Sequence, residues 1–349
     1  MAKPPVETKQ FTNYQIVSSL FPNTPASWDS RINLSSQQYW NNAQLLIASD
    51  GFEAVRNEIF QNLINRIAIV VIRNRNFYNP LEMFKNGLMP YGDTIQEIAS
   101  DVIEAEEFQT GKTDQFEYSE NDVKAVYHRI NRQQFYKRTI DDSVVQRAFT
   151  NEYGLQSLTN QLVKSLTDSN VIDEFLYTKR AIAGFKDQTA YPILPTQLLE
   201  VPSVSSEKRT HHDINVFLER VKTLLRMIQF PNRKYNASRQ MNQVAPDDVV
   251  LVLNANVISI NEVHNLAQAF RPEFLDLNIP IIAVDQLSES DPSIIGAIIS
   301  KKALDIRTTK ETMRLADNAR SLYTNMYFHI HQIYAVSPFE TIIYIKETK

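Results

Sequence analysis

Two groups of residues in this sequence combine the side chains that bind metals. His211, His212 and Asp213 stand together, and His329 and His331 are separated by a single residue. Asp213 falls at the start of a predicted helix, where a carboxylate caps free backbone N–H groups. On a strand, His329 and His331 would point to the same face, but no third ligand stands near them in the sequence. We therefore interpret both groups as structural and predict no metal site.

The sequence also lacks the patterns of nucleophilic and nucleotide-dependent enzymes. Asp141 and Asp142 precede a helix, where acidic side chains suit the N-terminal dipole without any catalytic role. The seven glycines are isolated from one another, which excludes a phosphate-cradling loop, a dinucleotide fingerprint and a G-x-S-x-G elbow. The absence of cysteine excludes thiolate ligands and nucleophiles. We predict no catalytic residue and no cofactor, and hence a protein that is not an enzyme.

Composition is that of an ordinary globular chain. Of the 349 residues 43% are hydrophobic and 22% charged, and the formal net charge of −4 gives no bulk attraction to nucleic acid. The first ten residues lack the apolar run of a signal peptide, and the longest aliphatic run, residues 67–72, is too short to span a bilayer. The sequence predicts a soluble protein of a reducing compartment, and its length predicts two domains.

The longest uninterrupted segment, residues 155–183, is predicted to form one helix. It contains neither proline nor glycine, and its apolar residues fall mostly three and four positions apart. A helix of this length would measure about 43 Å and would have to run across a whole domain. Gly154 and Gly184 are its expected ends, and Asp168, Ser169 and Asn170 are weak helix formers at which it could break.

Residues 92–140 are predicted to form a long hairpin with segregated charge, in which residues 94–103 pair with residues 123–140. The acidic residues collect at its tip and the basic residues on its returning strand. The acidic set is Glu104, Glu106, Glu107, Asp114, Glu117, Glu120 and Asp122, and the basic set is Lys124, Arg129, Arg132, Lys137 and Arg138. Either the charges are merely solvated, or the tip docks on a basic surface of another copy. A two-stranded ribbon is marginal in water, so something should support it.

The remaining chain mixes helices and strands without a regular alternation, which favours an α+β fold over a doubly wound sheet. Residues 1–42 are rich in proline and polar residues and are predicted to form an extended arm. Helices are predicted at residues 52–65, 213–230 and 261–270. Strands are predicted at residues 67–72, 249–253, 279–284 and 294–306, with long β-structure over residues 322–345.

A series of blocks resembles the major capsid protein of the small, short-tailed phages of the phi-29-like type. The blocks are residues 66–73, 79–81 with Phe84, Lys85 and Gly87, 92–98, 123–124, 128–136, 139–142, 267–270 and 320–323 with Asn325, Tyr327 and His329. They run from about residue 60 to the C-terminus in the family's order.

The resemblance implies the Hong Kong 97-type (Johnson) capsid fold, an α+β fold into which the predicted elements fit. The arm would be residues 1–49, and the peripheral domain would comprise residues 50–91 and 141–185 with the long spine helix. Residues 92–140 would form the extended loop and residues 186–310 the axial domain, while residues 311–349 would return as C-terminal strands of the peripheral domain.

The implied function is that of the major capsid protein of a tailed double-stranded DNA phage. Copies would form pentamers and hexamers, meet through Glu104, Glu106, Glu107, Asp114, Lys124, Arg129, Arg132, Lys137 and Arg138 of the extended loop, and close an icosahedral shell. The implied partners are other copies of the chain, portal and scaffolding proteins, and a genome that is enclosed without sequence-specific binding and without a membrane. Assembly would take place in the cytoplasm of the bacterial host. Two alternatives remain: another phage structural protein, such as a portal or tail component, or a metal-dependent enzyme using His329, His331 and a distant carboxylate.

Overall fold

The computed structural model of the chain describes residues 77–89, 92–103, 105, 123–141, 143–144, 154–205, 209–260, 279–318 and 323–348. Five of the predicted features lie outside these residues. They are the arm, the helices at residues 52–65 and 261–270, the strand at residues 67–72, and most of the acidic tip of the hairpin.

The long helix α1 spans Gly154–Gly184 and confirms the predicted segment to within one residue at each end. At 1.5 Å per residue its 31 residues cover about 46 Å. Leu162, Leu166, Val171 and Ile182 form a buried stripe, as their spacing predicts. Asp168 and its neighbours do not break the helix.

The second helix, α2, spans His211–Met227 and begins with a capping box. Thr210 is the N-cap, and its hydroxyl accepts a hydrogen bond from the Asp213 N–H. Asp213 Oδ2 in turn accepts from the Thr210 hydroxyl at 2.6 Å and from the Thr210 N–H at 2.8 Å, and these two hydrogen bonds lower the pKa of the carboxyl. Asp213 therefore completes the cap that Thr210 begins, a reciprocal arrangement that satisfies two free donors at the helix start.

The described residues contain eleven strands, arranged in three sheets. In chain order they are β1 (Lys85–Leu88), β2 (Thr94–Ser100), β3 (Val123–Arg129), β4 (Arg132–Asp141), β5 (Leu198–Pro202), β6 (Val249–Asn254), β7 (Ile281–Val284), β8 (Ile294–Ser300), β9 (Leu304–Asn318), β10 (Tyr323–Val336) and β11 (Ile342–Thr348). The strand orders are β1-β9-β10-β4, β5-β11-β8-β6-β7 and β2-β3. Helix and strand are thus mixed, as the α+β prediction requires.

The five-stranded sheet is buried on both faces. Along β6 the side chains alternate, with Val250 and Val252 in one hydrophobic cluster and Val249, Leu251 and Leu253 in another. The first cluster includes the C-terminal part of α1, and the second includes the apolar face of α2. This accounts for the continuous apolar run of β6, which is typical of a strand covered on two sides.

The predicted hairpin is only partly correct. Strands β2 and β3 pair in antiparallel register from Thr94 with Arg129 to Ser100 with Val123, but β4 leaves the ribbon and joins the four-stranded sheet. The change occurs at Asn131, whose N–H donates to Gln332 O and whose side chain exchanges hydrogen bonds with the backbone of Tyr334 on β10. The Asn131 side chain thereby extends the pairing with β10, and at this residue the chain passes from the ribbon into the four-stranded sheet.

The C-terminal segment also differs from the prediction. It is divided into β10 and β11 by residues 337–341, and Pro338 within them cannot donate to a ladder. Strand β11 pairs in parallel with β5 and antiparallel with β8, so it belongs to the five-stranded sheet and does not complete the sheet of β10. The predicted strand at residues 294–306 is likewise two strands, β8 and β9, separated by the turn Lys301–Ala303.

The chain divides into two compact units. The first includes the described residues of 133–173 and 311–330, and the second includes those of 79–132, 174–310 and 331–348. One division between these units falls after Lys310, where the predicted axial domain also ends, and another falls between residues 173 and 174. The predicted domain layout itself stays a prediction.

Candidate inter-subunit interface

Strands β2 and β3 form a two-stranded ribbon whose two faces have different surroundings. Side chains alternate between the faces, and one face carries Gln96, Ile98, Val123, Tyr127 and Arg129, all exposed. The opposite face carries the half-buried Ile95, Glu97, Ala99, Lys124, Val126 and His128. The ribbon therefore has one face supported by its own chain and one face open to solvent.

The open face exposes large apolar side chains. Ile98 is 63% exposed, Tyr127 61% and Val123 56%. Val102 and Ile103, which follow β2, are also exposed. An isolated ribbon with this much exposed apolar surface is poorly stable by itself, and exposed apolar clusters are typical of surfaces that contact another protein. We call Ile98, Val123 and Tyr127 the docking face.

The nine charged residues predicted to join subunits have different positions. Glu104, Glu106, Glu107 and Asp114 lie outside the described residues. Arg129 is exposed at the end of β3, and Lys137 and Arg138 are exposed on β4, which belongs to the four-stranded sheet and not to the ribbon. Lys124 is half-buried, and its Nζ donates to Ser238 O at 3.1 Å.

The prediction for Arg132 is contradicted by its burial. Its side chain is only 1% exposed, and its Nη1 donates to Gln332 Oε1 at 2.6 Å and to Tyr334 Oη at 3.2 Å. The guanidinium carbon lies 4.9 Å from the centre of the Tyr177 ring, a cation–π distance. Arg132 is therefore an internal residue where the chain leaves the ribbon, and it is not available to another subunit.

The groups around Arg132 form a connected polar cluster. Gln332 Nε2 donates to Glu174 Oε1 at 2.7 Å, and Glu174 also pairs with Lys85 at 2.8 Å. Burial, which disfavours the phenolate, raises the pKa of Tyr334 well above its usual 10.0. Such a cluster joins β1, β4, β10 and the helix α1 through groups that would be costly to leave unpaired.

The histidines and Asp141, whose side chains could in principle bind a metal, have the following positions in the structure. His211 and His212 are exposed in the first turn of α2, and Asp141 ends β4, where its Oδ1 accepts from the Ser143 N–H. The ring of His329 lies 5.6 Å from that of Phe135. Within the part of the chain that the structure describes, no group of three potential ligands is placed to hold a metal ion.

The docking face has a signal in the sequence that the charge pattern does not reveal. The signal is the alternation of side chains along each strand. It places Ile98 on the same face of the ribbon as Val123, Ala125 and Tyr127.

Among the described helices, none has the length and apolarity needed to cross a bilayer.

This architecture is shared with phage capsid proteins of known structure. In the capsid structure of Staphylococcus phage Andhra, a chain superposes with a TM-score of 0.57 at 14% sequence identity, covering 79% of this chain and 86% of that chain. In the capsid structure of the cyanophage P-SCSP1u, the TM-score is 0.57 at 12% identity, covering 79% of this chain and 90% of that chain. The fold is therefore the Hong Kong 97-type capsid fold.

The sequence comparison identifies the family within that fold. The sequence profile of the Phi29-like phage major capsid protein family matches residues 18–346, so the chain belongs to this family. The major capsid protein of Bacillus phage GA-1 is 25% identical over 335 residues, covering 95% of this chain and 68% of that protein. The major capsid protein of Streptococcus phage Cp-1 is 24% identical over 347 residues, covering 96% of this chain and 94% of that protein. The family is one of structural proteins and not of enzymes.

Proposed function

We propose that copies of this chain form pentamers and hexamers and close an icosahedral shell around double-stranded DNA, and that the docking face is one of the contacts between neighbouring copies. The observation that carries this proposal is the exposed apolar face of a two-stranded ribbon in a chain of the capsid family. A second copy is the partner because a shell is built from many copies that each offer the same surfaces.

The docking face is large enough to contribute to assembly without making contacts irreversible. Fully burying a side chain such as isoleucine is worth about 1.5–3 kcal/mol, and Ile98 has about three fifths of its surface to lose. Ile98, Val123 and Tyr127 together would thus supply a few kcal/mol before the costs of association. Contacts of this size can reopen during assembly, and many of them acting together hold a closed shell.

Charge is proposed to guide the same contact. The acidic residues Glu104, Glu106, Glu107 and Asp114 belong to the segment that connects β2 to β3, whereas Arg129, Lys137 and Arg138 are exposed basic residues. The connecting segment of one copy would meet the basic residues of another. Opposite charges of this kind orient two surfaces and speed their encounter more than they tighten the final contact.

The remaining proposals follow from the family and the fold. Residues 1–49 act as an arm that lies across neighbouring subunits. Residues 50–91, 141–185 and 311–349 form the peripheral domain, and residues 186–310 form the axial domain. Portal and scaffolding proteins are expected partners, and assembly is expected in the cytoplasm of the bacterial host. The negative net charge is compatible with a lining that encloses DNA without adhering to it.

The docking face is tested by truncating one side chain and measuring the critical concentration for shell formation. Ile98→Ala should remove about 1–1.4 kcal/mol per contact, which corresponds to a five- to tenfold higher critical concentration by light scattering and sedimentation. Ser100→Ala, on the same face of β2, is the control and should assemble as the wild type does. If Ile98→Ala assembled at the same concentration as Ser100→Ala, the proposed role of this face would be wrong.

The two alternatives make different predictions. A portal or tail protein would form rings or tubes of a single symmetry and no closed shell, and the match over residues 18–346 supports the capsid protein instead. A metal-dependent enzyme would retain a transition metal in stoichiometric amount, which elemental analysis of the purified protein measures directly.

A further inference from the structure

The end of the ribbon that leads into its tip is attached to a loop of the same compact unit. The receiver loop, residues 229–244, follows α2, and its two ends are joined by paired backbone hydrogen bonds between Asn232 and Asn242. Four hydrogen bonds, each involving a side chain, join this loop to Ala99 near the end of β2, to Asp101 directly after β2, and to Lys124 at the start of β3. All four come from the face of the ribbon, or from the chain end, that lies away from the docking face.

The receiver loop is stabilised by hydrogen bonds that do not involve the ribbon. Asn236 is 1% exposed, its Nδ2 donates to Gln240 O at 2.6 Å, and its Oδ1 accepts from the Gln240 N–H at 3.0 Å. The Ser238 N–H donates to Pro338 O at 3.0 Å. Arg239 takes a positive φ of 58°, which closes the turn within this network. The loop therefore presents its donors and acceptors from a conformation that its own hydrogen bonds stabilise.

Asp101 is the centre of the contact. Its carboxylate is 12% exposed, its Oδ1 accepts from the Met241 N–H at 3.1 Å, and its Oδ2 accepts from Nη1 of Arg233. The hydrogen bonds from the Met241 and Val102 N–H groups, with the nearby Arg233 charge, hold the pKa of this carboxyl below its usual 3.8. Asp101 is therefore ionised at neutral pH, when these contacts are strongest.

Two further hydrogen bonds tie both strands of the ribbon to the same loop. Gln240 Nε2 donates to Ala99 O at 3.2 Å, and Lys124 Nζ donates to Ser238 O at 3.1 Å. Ala99 and Lys124 lie on the half-buried face of the ribbon, opposite to Ile98 and Val123. The contact therefore fixes the ribbon and leaves its docking face uncovered.

We propose that these contacts form a latch within each subunit, which fixes the direction of the ribbon before assembly so that the docking face is presented in the geometry that a second copy requires. This inference rests on the proposed function. The latch acts through preorganisation: a ribbon that is already fixed loses less conformational freedom when it docks. Breaking the latch should therefore weaken assembly although the docking face itself is unchanged.

The test compares Asp101→Ala and Asp101→Asn with the control Asp93→Asn. Asp93 precedes the other end of β2, where its Oδ1 accepts from the neighbouring Thr94 hydroxyl, so this control removes a carboxylate from the ribbon without touching the latch. Asp101→Asn keeps an acceptor for the Met241 N–H and should have a smaller effect than Asp101→Ala. Arg233→Gln removes the charged partner from the opposite side and should resemble Asp101→Asn.

The first readout is hydrogen exchange in unassembled subunits. We expect the Met241 amide to exchange at least tenfold faster in Asp101→Ala than in Asp93→Asn, while amides of β6 and β8 keep their protection. The second readout is the critical concentration for assembly, which should rise several-fold in Asp101→Ala and less in Asp101→Asn and Arg233→Gln.

Each outcome decides a different point. Unchanged exchange at Met241 would overturn the latch, and faster exchange with an unchanged critical concentration would overturn its role in presenting the docking face. Loss of protection throughout β6 and β8 would mean that Asp101→Ala is unfolded, and Arg233→Gln would then decide by the same two readouts. A wild-type chain that forms no shells would count against the proposed function instead, and the two failures are distinguishable because the exchange experiment does not depend on assembly.

Discussion

Replacement of the buried Arg132 by methionine should destabilise the subunit by about 2–4 kcal/mol. The change removes two charge-assisted hydrogen bonds, to Gln332 and Tyr334, each worth about 1.5–3 kcal/mol, and the contact of the guanidinium with the Tyr177 ring. Part of this loss is recovered because methionine is cheaper to bury than a cation. Gln332 and Tyr334 keep a hydrogen bond to each other in the variant, since the Tyr334 hydroxyl donates to Gln332 Oε1 at 2.9 Å.

Arg132→Ala should be more destabilising than Arg132→Met, at about 3–5 kcal/mol, because it adds a cavity to the same loss of contacts. The assay is urea unfolding of unassembled subunits, followed by circular dichroism and by hydrogen exchange of the β3 and β4 amides. Arg138→Met is the matched control on the same strand, and because Arg138 is exposed its effect should stay within about 0.5 kcal/mol.

The reasoning would be refuted if Arg132→Met and Arg138→Met had the same free energy of unfolding. A double-mutant cycle with Gln332→Leu gives a second check. Because Arg132 and Gln332 are in direct contact, the two losses should not add, and the interaction energy should be about 1–3 kcal/mol.

Three further predictions concern the second compact unit. Gly296→Ala should destabilise it by about 2–3 kcal/mol in urea unfolding, because the new Cβ would lie 2.5 Å from the backbone oxygen of Val252 on the paired strand. Burial raises the pKa of the Tyr344 hydroxyl above its usual 10.0. The stability that the neutral hydroxyl contributes is therefore present below about pH 10 and is lost as the pH rises further. In Tyr344→Phe, the unfolding free energy should fall less steeply between about pH 9 and about pH 11 than in the wild type. Thr210→Ala should cost about 1 kcal/mol and speed exchange of the Asp213 amide, whereas an unchanged exchange rate would show that the cap is unimportant.

Elements with a single uninterrupted pattern could be predicted from the sequence. The predicted bounds of helix α1 agree with the structure to within one residue at each end because no proline or glycine interrupts its apolar stripe, and the weak helix formers at residues 168–170 do not outweigh that stripe. The apolar run of β6 was equally clear. In both cases the local pattern and the tertiary environment favour the same structure.

The predicted strands were wrong where the same alternation of side chains continues although the strand changes its pairing partner. Residues 123–140 keep the same alternation, but Asn131 switches the chain from β3 to β4 through side-chain hydrogen bonds to β10. The same happens between β8 and β9 and between β10 and β11, where short turns move the chain to another sheet. Pairing partners depend on contacts far apart in sequence, which periodicity does not encode.

The surroundings of the charged residues could not be predicted from their charge. The charge pattern does not reveal that Arg132 is buried or that Asp101 contacts the receiver loop. Both facts depend on residues more than a hundred positions away in the sequence. The docking role of the remaining charged residues stays a prediction.

The central claim, that this chain builds a phage shell from copies of itself, is tested most directly by electron microscopy with sedimentation. The protein would be expressed with and without its neighbouring phage genes, so that a requirement for a scaffolding protein does not hide assembly. The account predicts closed, regular shells or five- and sixfold rings. A sharp monomer or small dimer under every condition, with the scaffolding protein present, would contradict it.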